Sequence, residues 1–96
     1  MNITVEYLGY IKKIIGNERK EEIQIHDAAL VSDLLSQLCE KYGQPFREAV
    51  YEPKSPDVKS NFIVTVNGYL LNQLKGLKTK LKDGDHVMLM PVISGG

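Results

Sequence analysis

One helical stripe of apolar residues, near the middle of the chain, limits the possible folds more than any other feature of the sequence. Its members recur three and four positions apart, with mostly polar residues between them: Val31, Leu34, Leu35, Leu38 and Tyr42. Gly43 follows the last member, where a helix commonly ends in a residue with positive φ. We therefore expect one main amphipathic helix, which must bury its apolar side against a second layer.

The predicted helix begins without a side chain that can cap it in the usual way. Leu30 occupies the N-cap position, and its side chain has no oxygen that could accept a hydrogen bond from a backbone amide. We expect Asp33, at the third helical position, to accept a hydrogen bond from the Leu30 amide, while Ser32 is an alternative cap.

The residues before this helix show the two-residue period of half-buried strands. Ile3, Val5 and Tyr7 alternate with polar residues, and Ile23 and Ile25 repeat the alternation. These segments predict two paired strands, which form a hairpin with a long loop.

The residues after the helix predict three more strands. Phe62–Val66 and Tyr69–Leu71 flank Asn67-Gly68, the signature of a type I′ turn, and Val87–Met90 forms the last strand. Phe46–Tyr51 is long enough for one further helical turn. The order strand, strand, helix, strand, short strand, strand predicts an α+β domain in which one helix covers a small sheet.

Length and composition favour one domain without a strongly charged surface. The chain has 96 residues, of which 43% are hydrophobic, and 12 basic residues balance 12 acidic ones. This balance gives no net field that would favour nucleic acid or a membrane surface. The start of the chain has no basic and apolar leader, and the single cysteine, Cys39, excludes an internal disulfide. We therefore expect a cytoplasmic protein that binds neither nucleic acid nor membrane.

The end of the chain carries the strongest functional signal. The sequence Leu77–Asp85 contains a Lys-Asp-Gly-Asp turn, His86–Met90 follows it, and the chain closes with Pro91-Val92-Ile93-Ser94-Gly95-Gly96. Glycine has no Cβ and adopts conformations that are closed to other residues, so a Gly-Gly stem suits a carboxylate that must enter a narrow active site. We expect residues 91–96 to form a flexible tail on a domain of residues 1–90.

Together these segments resemble the MoaD family of sulfur carriers, which belongs with ThiS and the archaeal modifiers in the β-grasp (ubiquitin-like) superfamily. The resemblance covers nearly the whole chain, including the Asp33-Leu34-Leu35 helix start and the Val66-Asn67-Gly68 turn. It implies a mixed sheet of four to five strands covered by one main helix. Two features depart from the usual family pattern. Relatives usually show two prolines and a phenylalanine before the tail, whereas here Met90 precedes Pro91 and Val92 follows it. The helix cap is commonly threonine, and here it is Leu30.

The resemblance also implies the chemistry at Gly96. A ubiquitin-activating-type adenylyltransferase uses ATP and Mg²⁺ to adenylate the Gly96 carboxylate, and sulfur then replaces an oxygen to give a thiocarboxylate. In MoaD relatives the sulfur passes to a pterin precursor in the large subunit of molybdopterin synthase. The carrier holds no cofactor of its own and contributes no acid or base, so it is not expected to be an enzyme.

The residues expected to contact these partners precede Gly96 in the chain. Met88 and Met90 should face outward on the last strand, because Val87 and Leu89 face the helix. Two partly exposed methionines suit a docking surface, since methionine adapts to several partner surfaces. The remaining expected contact residues lie in the tail: Pro91, Ile93, Ser94 and Gly95.

Two other functions remain open at this point. The chain could be a ubiquitin-like modifier that is joined through Gly96 to lysines of target proteins, or an interaction module whose tail is idle. The final sulfur acceptor, whether a pterin, a thiamine precursor or transfer RNA, is not encoded in the sequence either.

The other reactive side chains favour structural or solvated roles. Cys39 has no histidine or cysteine near it in sequence, so a structural thiol is expected. His26 and His86 lie far apart without a second ligand at metal spacing, so no metal site is expected. Four lysines without an acidic residue between them predict a solvated face, with a contact to an acidic patch on the activating enzyme as the alternative: Lys75, Lys78, Lys80 and Lys82.

Overall fold

A mixed β-sheet forms one layer of the domain. The computed structural model describes residues 1–92, and its strands are β1 (Asn2–Tyr7), β2 (Lys20–Gln24), β3 (Phe62–Val66), β4 (Tyr69–Leu70) and β5 (His86–Pro91). They lie side by side in the order β2-β1-β5-β3-β4. β1 and β5 run parallel and every other pair is antiparallel. The first and last strands therefore lie together at the centre of the sheet.

Helices form the second layer. They are α1 (Ile11–Ile14), α2 (Val31–Tyr42) and α3 (Gln44–Val50), with short 3-10 turns at Leu71–Gln73 and Gly76–Lys78. α2 is the main helix that the apolar stripe predicts. α1 was not predicted, because four residues inside a loop are too few to show a helical period. α3 starts two residues before the predicted turn, with Pro45 in its first turn, where a missing amide hydrogen costs nothing.

The start of α2 has the expected geometry. The Leu30 amide donates a hydrogen bond to Asp33 Oδ2 at 2.8 Å, which confirms the predicted role of Asp33. The helix ends at Gly43, whose φ of 82° suits glycine. The predicted hairpin turn is also present, since Asn67 and Gly68 have φ values of 52° and 87°. β4 ends at Leu70 and not at Leu71, because Leu71 opens a 3-10 turn.

The hydrophobic core lies between the inner face of the sheet and the helices. Residues of β1, β5, α2 and α3 that have no exposed surface form its centre: Ile3, Val5, Tyr7, Val87, Leu89, Val31, Leu34, Leu35, Leu38, Phe46 and Val50. Leu81 is also buried, while Leu74 and Leu77 pack against the core from its edge. This architecture confirms the predicted fold, a mixed sheet with one main helix across it.

Two expectations concern the limits of the domain. Pro91, which the sequence analysis assigned to the tail, is the last residue of β5, so the boundary after residue 90 falls inside the strand. The predicted positions of Ile93, Ser94, Gly95 and Gly96 lie outside the described residues. No helix within residues 1–92 is long and apolar enough to cross a membrane.

Candidate functional site

The two faces of β5 differ as the two-residue period predicts. Val87 and Leu89 have no exposed surface, whereas His86, Met88 and Met90 are partly exposed on the outer face of the sheet. The outward position of the two methionines is therefore confirmed. They are only partly exposed because neighbouring strands flank them on both sides.

The neighbours of these methionines extend an apolar surface across the sheet. Met90 is paired with Ile63, and Met88 with Thr65, which is itself paired with Leu70 on β4. Paired residues on neighbouring strands point to the same face of a sheet. We call Ile63, Leu70, Met88 and Met90 the outer patch. The sequence could have revealed Ile63, because the alternation along Phe62–Val66 turns it outward.

Charged and polar groups border the outer patch on the β1 side. Glu6 is paired with Met88, and its carboxylate lies 2.9 Å from His86 Nε2 and 3.4 Å from Arg19 Nε. The hydrogen bond with His86 lowers the pKa of Glu6, and the bond with Arg19 acts in the same direction. Glu6 therefore stays ionised beside the patch at neutral pH.

A shallow depression lies on the same face of the sheet. Its walls are formed by Thr65, Asn67, Gly68, His86 and Met88. Asn67 is fixed there, because its side chain accepts a hydrogen bond from the His86 amide at 2.9 Å and donates one to Asp85 at 2.9 Å. The depression is wide and open, so it suits a side chain from a partner protein better than an enclosed small molecule.

Within residues 1–92, the end of β5 is held from the β3 side. The Val92 amide donates a hydrogen bond to the Asn61 carbonyl at 2.7 Å, and Pro91 is paired with Phe62. On the β1 side, the last bond runs from the Leu8 amide to the Leu89 carbonyl, at 2.9 Å. Pro91 has no amide hydrogen with which to continue this pairing. β5 therefore ends at Pro91, beside the end of β1.

Gly9 lies beside this end of β5. Its φ is 74°, and a Cβ built on it would come within 3.5 Å of the Pro91 carbonyl oxygen. Periodicity in the sequence does not reveal that Gly9 meets Pro91, because it cannot show which residues are neighbours across the sheet. Pro91 is buried, whereas Val92 is 40% exposed.

The structure also gives the surroundings of the other reactive side chains that the sequence singled out. Cys39 is 5% exposed, and burial raises the pKa of its thiol, so it is a poor nucleophile at neutral pH. His26 and His86 lie in different parts of the domain. Residues 1–92 contain no group of three or more histidine, cysteine, aspartate or glutamate side chains that could hold a metal ion.

A larger surface depression lies elsewhere, between α3 and the loop that follows it. Arg47, Glu48, Tyr51, Glu52 and Lys54 contribute to its walls, and none of its lining residues belongs to β5. Its charges are mixed, and the Arg47 guanidinium lies over the Tyr51 ring, 5.7 Å from the ring centroid. We regard β5 and the tail as the functional site, because the methionines that the sequence predicts as contact residues lie on the exposed face of β5, and the tail follows this strand.

Comparison with known proteins identifies the family. The model of the ThiS family matches residues 5–96, which include Gly95 and Gly96. The chain belongs to the ThiS family. Across all 96 residues it is 26% identical to the molybdopterin synthase sulfur carrier subunit of Mycobacterium tuberculosis, and the match covers 100% of this chain and 99% of that protein.

Solved structures agree with this assignment. The HVO 2177 protein of Haloferax volcanii is 27% identical, with a TM-score of 0.83, and the match covers 100% of this chain and 87% of that one. Small archaeal modifier protein 1 from Methanosarcina acetivorans is 22% identical, with a TM-score of 0.80 over 99% of this chain and 96% of that one. The second likeness shows the fold alone. Both confirm the β-grasp, ubiquitin-like fold of this ThiS-family chain, and the family is one of sulfur carriers.

Proposed function

We propose that this chain is a sulfur carrier whose C-terminal glycine, Gly96, is adenylated and then converted to a thiocarboxylate. In this proposal the chain acts as the small subunit of molybdopterin synthase. The observation that carries the proposal is the family match, which runs to the final Gly-Gly. The full-length likeness to a molybdopterin synthase sulfur carrier subunit supports the choice of pathway.

The proposed chemistry takes place on the tail and uses groups of a partner enzyme. One oxygen of the Gly96 carboxylate attacks the α-phosphorus of ATP and pyrophosphate leaves. Hydrosulfide then attacks the acyl carbon, the acyl–phosphate bond breaks and AMP leaves, which gives the thiocarboxylate. The activating adenylyltransferase binds ATP and Mg²⁺, and the carrier binds no cofactor. In this scheme the chain is a substrate of the activating enzyme and a carrier of sulfur, and it catalyses neither step.

The domain contributes a surface that the partner recognises. The outer patch is apolar and includes Met88 and Met90 of β5, the strand that precedes the tail. One partner can therefore contact both the patch and the tail. Methionine side chains adapt their shape, which suits a carrier that must bind an activating enzyme and then the large subunit of molybdopterin synthase. In the tail, Ile93 and Ser94 would contact the partner, and Gly95 keeps the stem narrow next to the reacting carboxylate.

The test is adenylation by an activating enzyme of this family, followed as exchange of labelled pyrophosphate into ATP. We expect the wild-type chain to support exchange and the Gly96-deleted chain and Gly95→Ile to support none, with unchanged thermal unfolding. Val92→Ala is the matched control, because it alters an exposed side chain at the tail root without shortening the stem. Normal exchange with the Gly96-deleted chain would overturn the proposal.

A further inference from the structure

A row of lysines runs along the segment between β4 and β5. Lys75, Lys78, Lys80 and Lys82 are all exposed. The chain has no aspartate or glutamate from residue 58 to residue 82. Within residues 1–92, none of the four lysines forms an ion pair with an acidic side chain. Their charges are therefore free to act on another molecule.

The last three of these lysines are separated by two buried residues. Thr79 and Leu81 are buried, at 9% and 3% exposure, whereas Lys78, Lys80 and Lys82 alternate with them and are exposed. Lys78 ends the 3-10 turn Gly76–Lys78, whereas Lys80 and Lys82 follow in extended backbone, where alternate residues share one side and lie roughly 6 to 7 Å apart. We call Lys78, Lys80 and Lys82 the lysine strip.

The backbone under the lysine strip is fixed by hydrogen bonds. The Val31 amide donates to the Thr79 carbonyl at 3.0 Å, and the Leu81 amide donates to the Ala29 carbonyl at 2.8 Å. The Lys82 amide donates to Asp85 Oδ2 at 2.8 Å. A partner would therefore meet charges on an already ordered chain, and it would restrict only the lysine side chains.

The nearest acidic residues in sequence already accept hydrogen bonds from other parts of the domain. Asp83 Oδ1 accepts a hydrogen bond from the Asn2 amide at 2.7 Å. Asp85 is 9% exposed and accepts bonds from the Lys82 amide and the Asn67 side chain. These carboxylates satisfy backbone and amide donors, so they leave the lysine strip unpaired.

We propose that the lysine strip docks an acidic surface of the activating enzyme. This inference rests on the proposed function. A carrier must meet successive partners and leave them quickly, and exposed complementary charges raise the rate of encounter more than they slow release. The strip has no arginine or aromatic side chain within it, and the chain has no net charge, so an acidic protein surface fits better than nucleic acid.

The position of the strip complements that of the tail. Lys82 precedes the start of β5, whereas the tail follows its end, so the two are separated by the length of six residues of strand, roughly 20 Å. A standard interface of roughly 800 Å² per partner is wide enough to span this distance. The activating enzyme can thus hold the strip while the tail stays free to enter its active site.

The test compares two variants with equal change in charge. Lys78→Glu combined with Lys80→Glu alters the strip, and Lys13→Glu combined with Lys54→Glu alters exposed lysines elsewhere. In pyrophosphate exchange, we expect the strip variant to raise KM about tenfold with kcat unchanged and to lose the salt dependence of kcat/KM. The control variant should resemble the wild-type chain. An equal rise in both variants, or in neither, would overturn the proposal.

A second measurement separates this inference from the proposed function. Amide spectra are recorded while a short peptide with glutamate at alternate positions is added, and the same is done with an RNA oligonucleotide. Salt-sensitive shifts at the lysine strip with the peptide, absent in the strip variant, support the proposal even if activation of Gly96 fails. Tighter binding of the RNA, or peptide shifts spread equally over all lysines, would overturn it.

Discussion

The two faces of β5 differ in role, because the inner face packs into the core and the outer face remains accessible. On the inner face, Val87 and Leu89 are fully buried against the helices. On the outer face, Met88 and Met90 are partly exposed and are paired with Thr65 and Ile63. Inner residues gain stability from burial, whereas outer residues leave apolar surface available to a partner. Changes on the inner face should therefore alter folding, and changes on the outer face should alter binding.

The largest effect should come from the inner face. Leu89→Ala removes a fully buried side chain and leaves a cavity, so we expect the free energy of unfolding to fall by about 2–5 kcal/mol. Met88→Ala, one position away on the outer face, should cost less than about 1 kcal/mol. Urea unfolding of the two variants at one pH gives the comparison. Equal losses of unfolding free energy would mean that the two faces contribute equally to stability, which would contradict this comparison.

A second effect concerns Glu21, a polar group on the inner side at the edge of the sheet. Its carboxylate accepts a hydrogen bond from Tyr7 Oη at 2.9 Å and further bonds from Tyr42 and Lys41. Glu21→Gln removes the charge that these donors share and should reduce the free energy of unfolding by about 1–3 kcal/mol. Urea unfolding at pH 7 measures the loss.

The contribution of Glu21 should also depend on pH. Burial raises the pKa of Glu21, but the hydrogen bonds from Lys41, Tyr42 and Tyr7 outweigh it and hold the pKa below its usual value. A carboxyl with a lowered folded-state pKa stabilises the protein above its unfolded-state pKa, about 4.3, and loses this effect as the pH falls through the folded-state value. The difference between wild type and Glu21→Gln should therefore shrink below about pH 4. A difference that grows in acid would contradict this account.

A third effect concerns the affinity of the outer face for the activating enzyme. Met88→Glu places a charge in the outer patch that a partner would have to desolvate, so affinity for the activating enzyme should fall at least about tenfold. Unfolding should change little, because Met88 is not in the core. Tyr69→Glu is the control, since Tyr69 is 59% exposed and lies outside the outer patch. Titration calorimetry that shows equal affinities for wild type and Met88→Glu would place the interface elsewhere.

The smallest effect should come from the outer carboxylate, Glu6. Its partners, His86 and Arg19, are 41% and 71% exposed, so water screens these pairs. Glu6→Gln should therefore change the free energy of unfolding less than Glu21→Gln does. The pKa of Glu6 is also lowered, so its contribution is lost as the pH falls through that value. A larger loss for Glu6→Gln than for Glu21→Gln in urea would reverse the comparison.

Periodicity in the sequence predicted the elements that carry long, regular patterns. It gave the main helix and the outward direction of Met88 and Met90, and local chemistry gave the bond between Leu30 and Asp33. It missed α1, whose four residues are too few to repeat a pattern.

Contacts between distant segments could not be predicted in this way. Glu21 meets side chains from β1 and α2, and Gly9 meets Pro91, only because the fold brings them together. The sequence placed Pro91 at the start of the tail, but it is the last residue of β5. It fits at the end of β5 because β1 has already stopped on that side, so no partner needs its amide hydrogen.

The central claim, that Gly96 carries sulfur, is tested most directly by the intact mass of the protein recovered from its own cells. Activation and sulfur transfer predict a fraction whose mass exceeds that of the unmodified chain by the difference between one sulfur and one oxygen atom. Fragmentation should place the change at Gly96. A tail found only as a free carboxylate, or only as isopeptide remnants on lysines of other proteins, would contradict the carrier account.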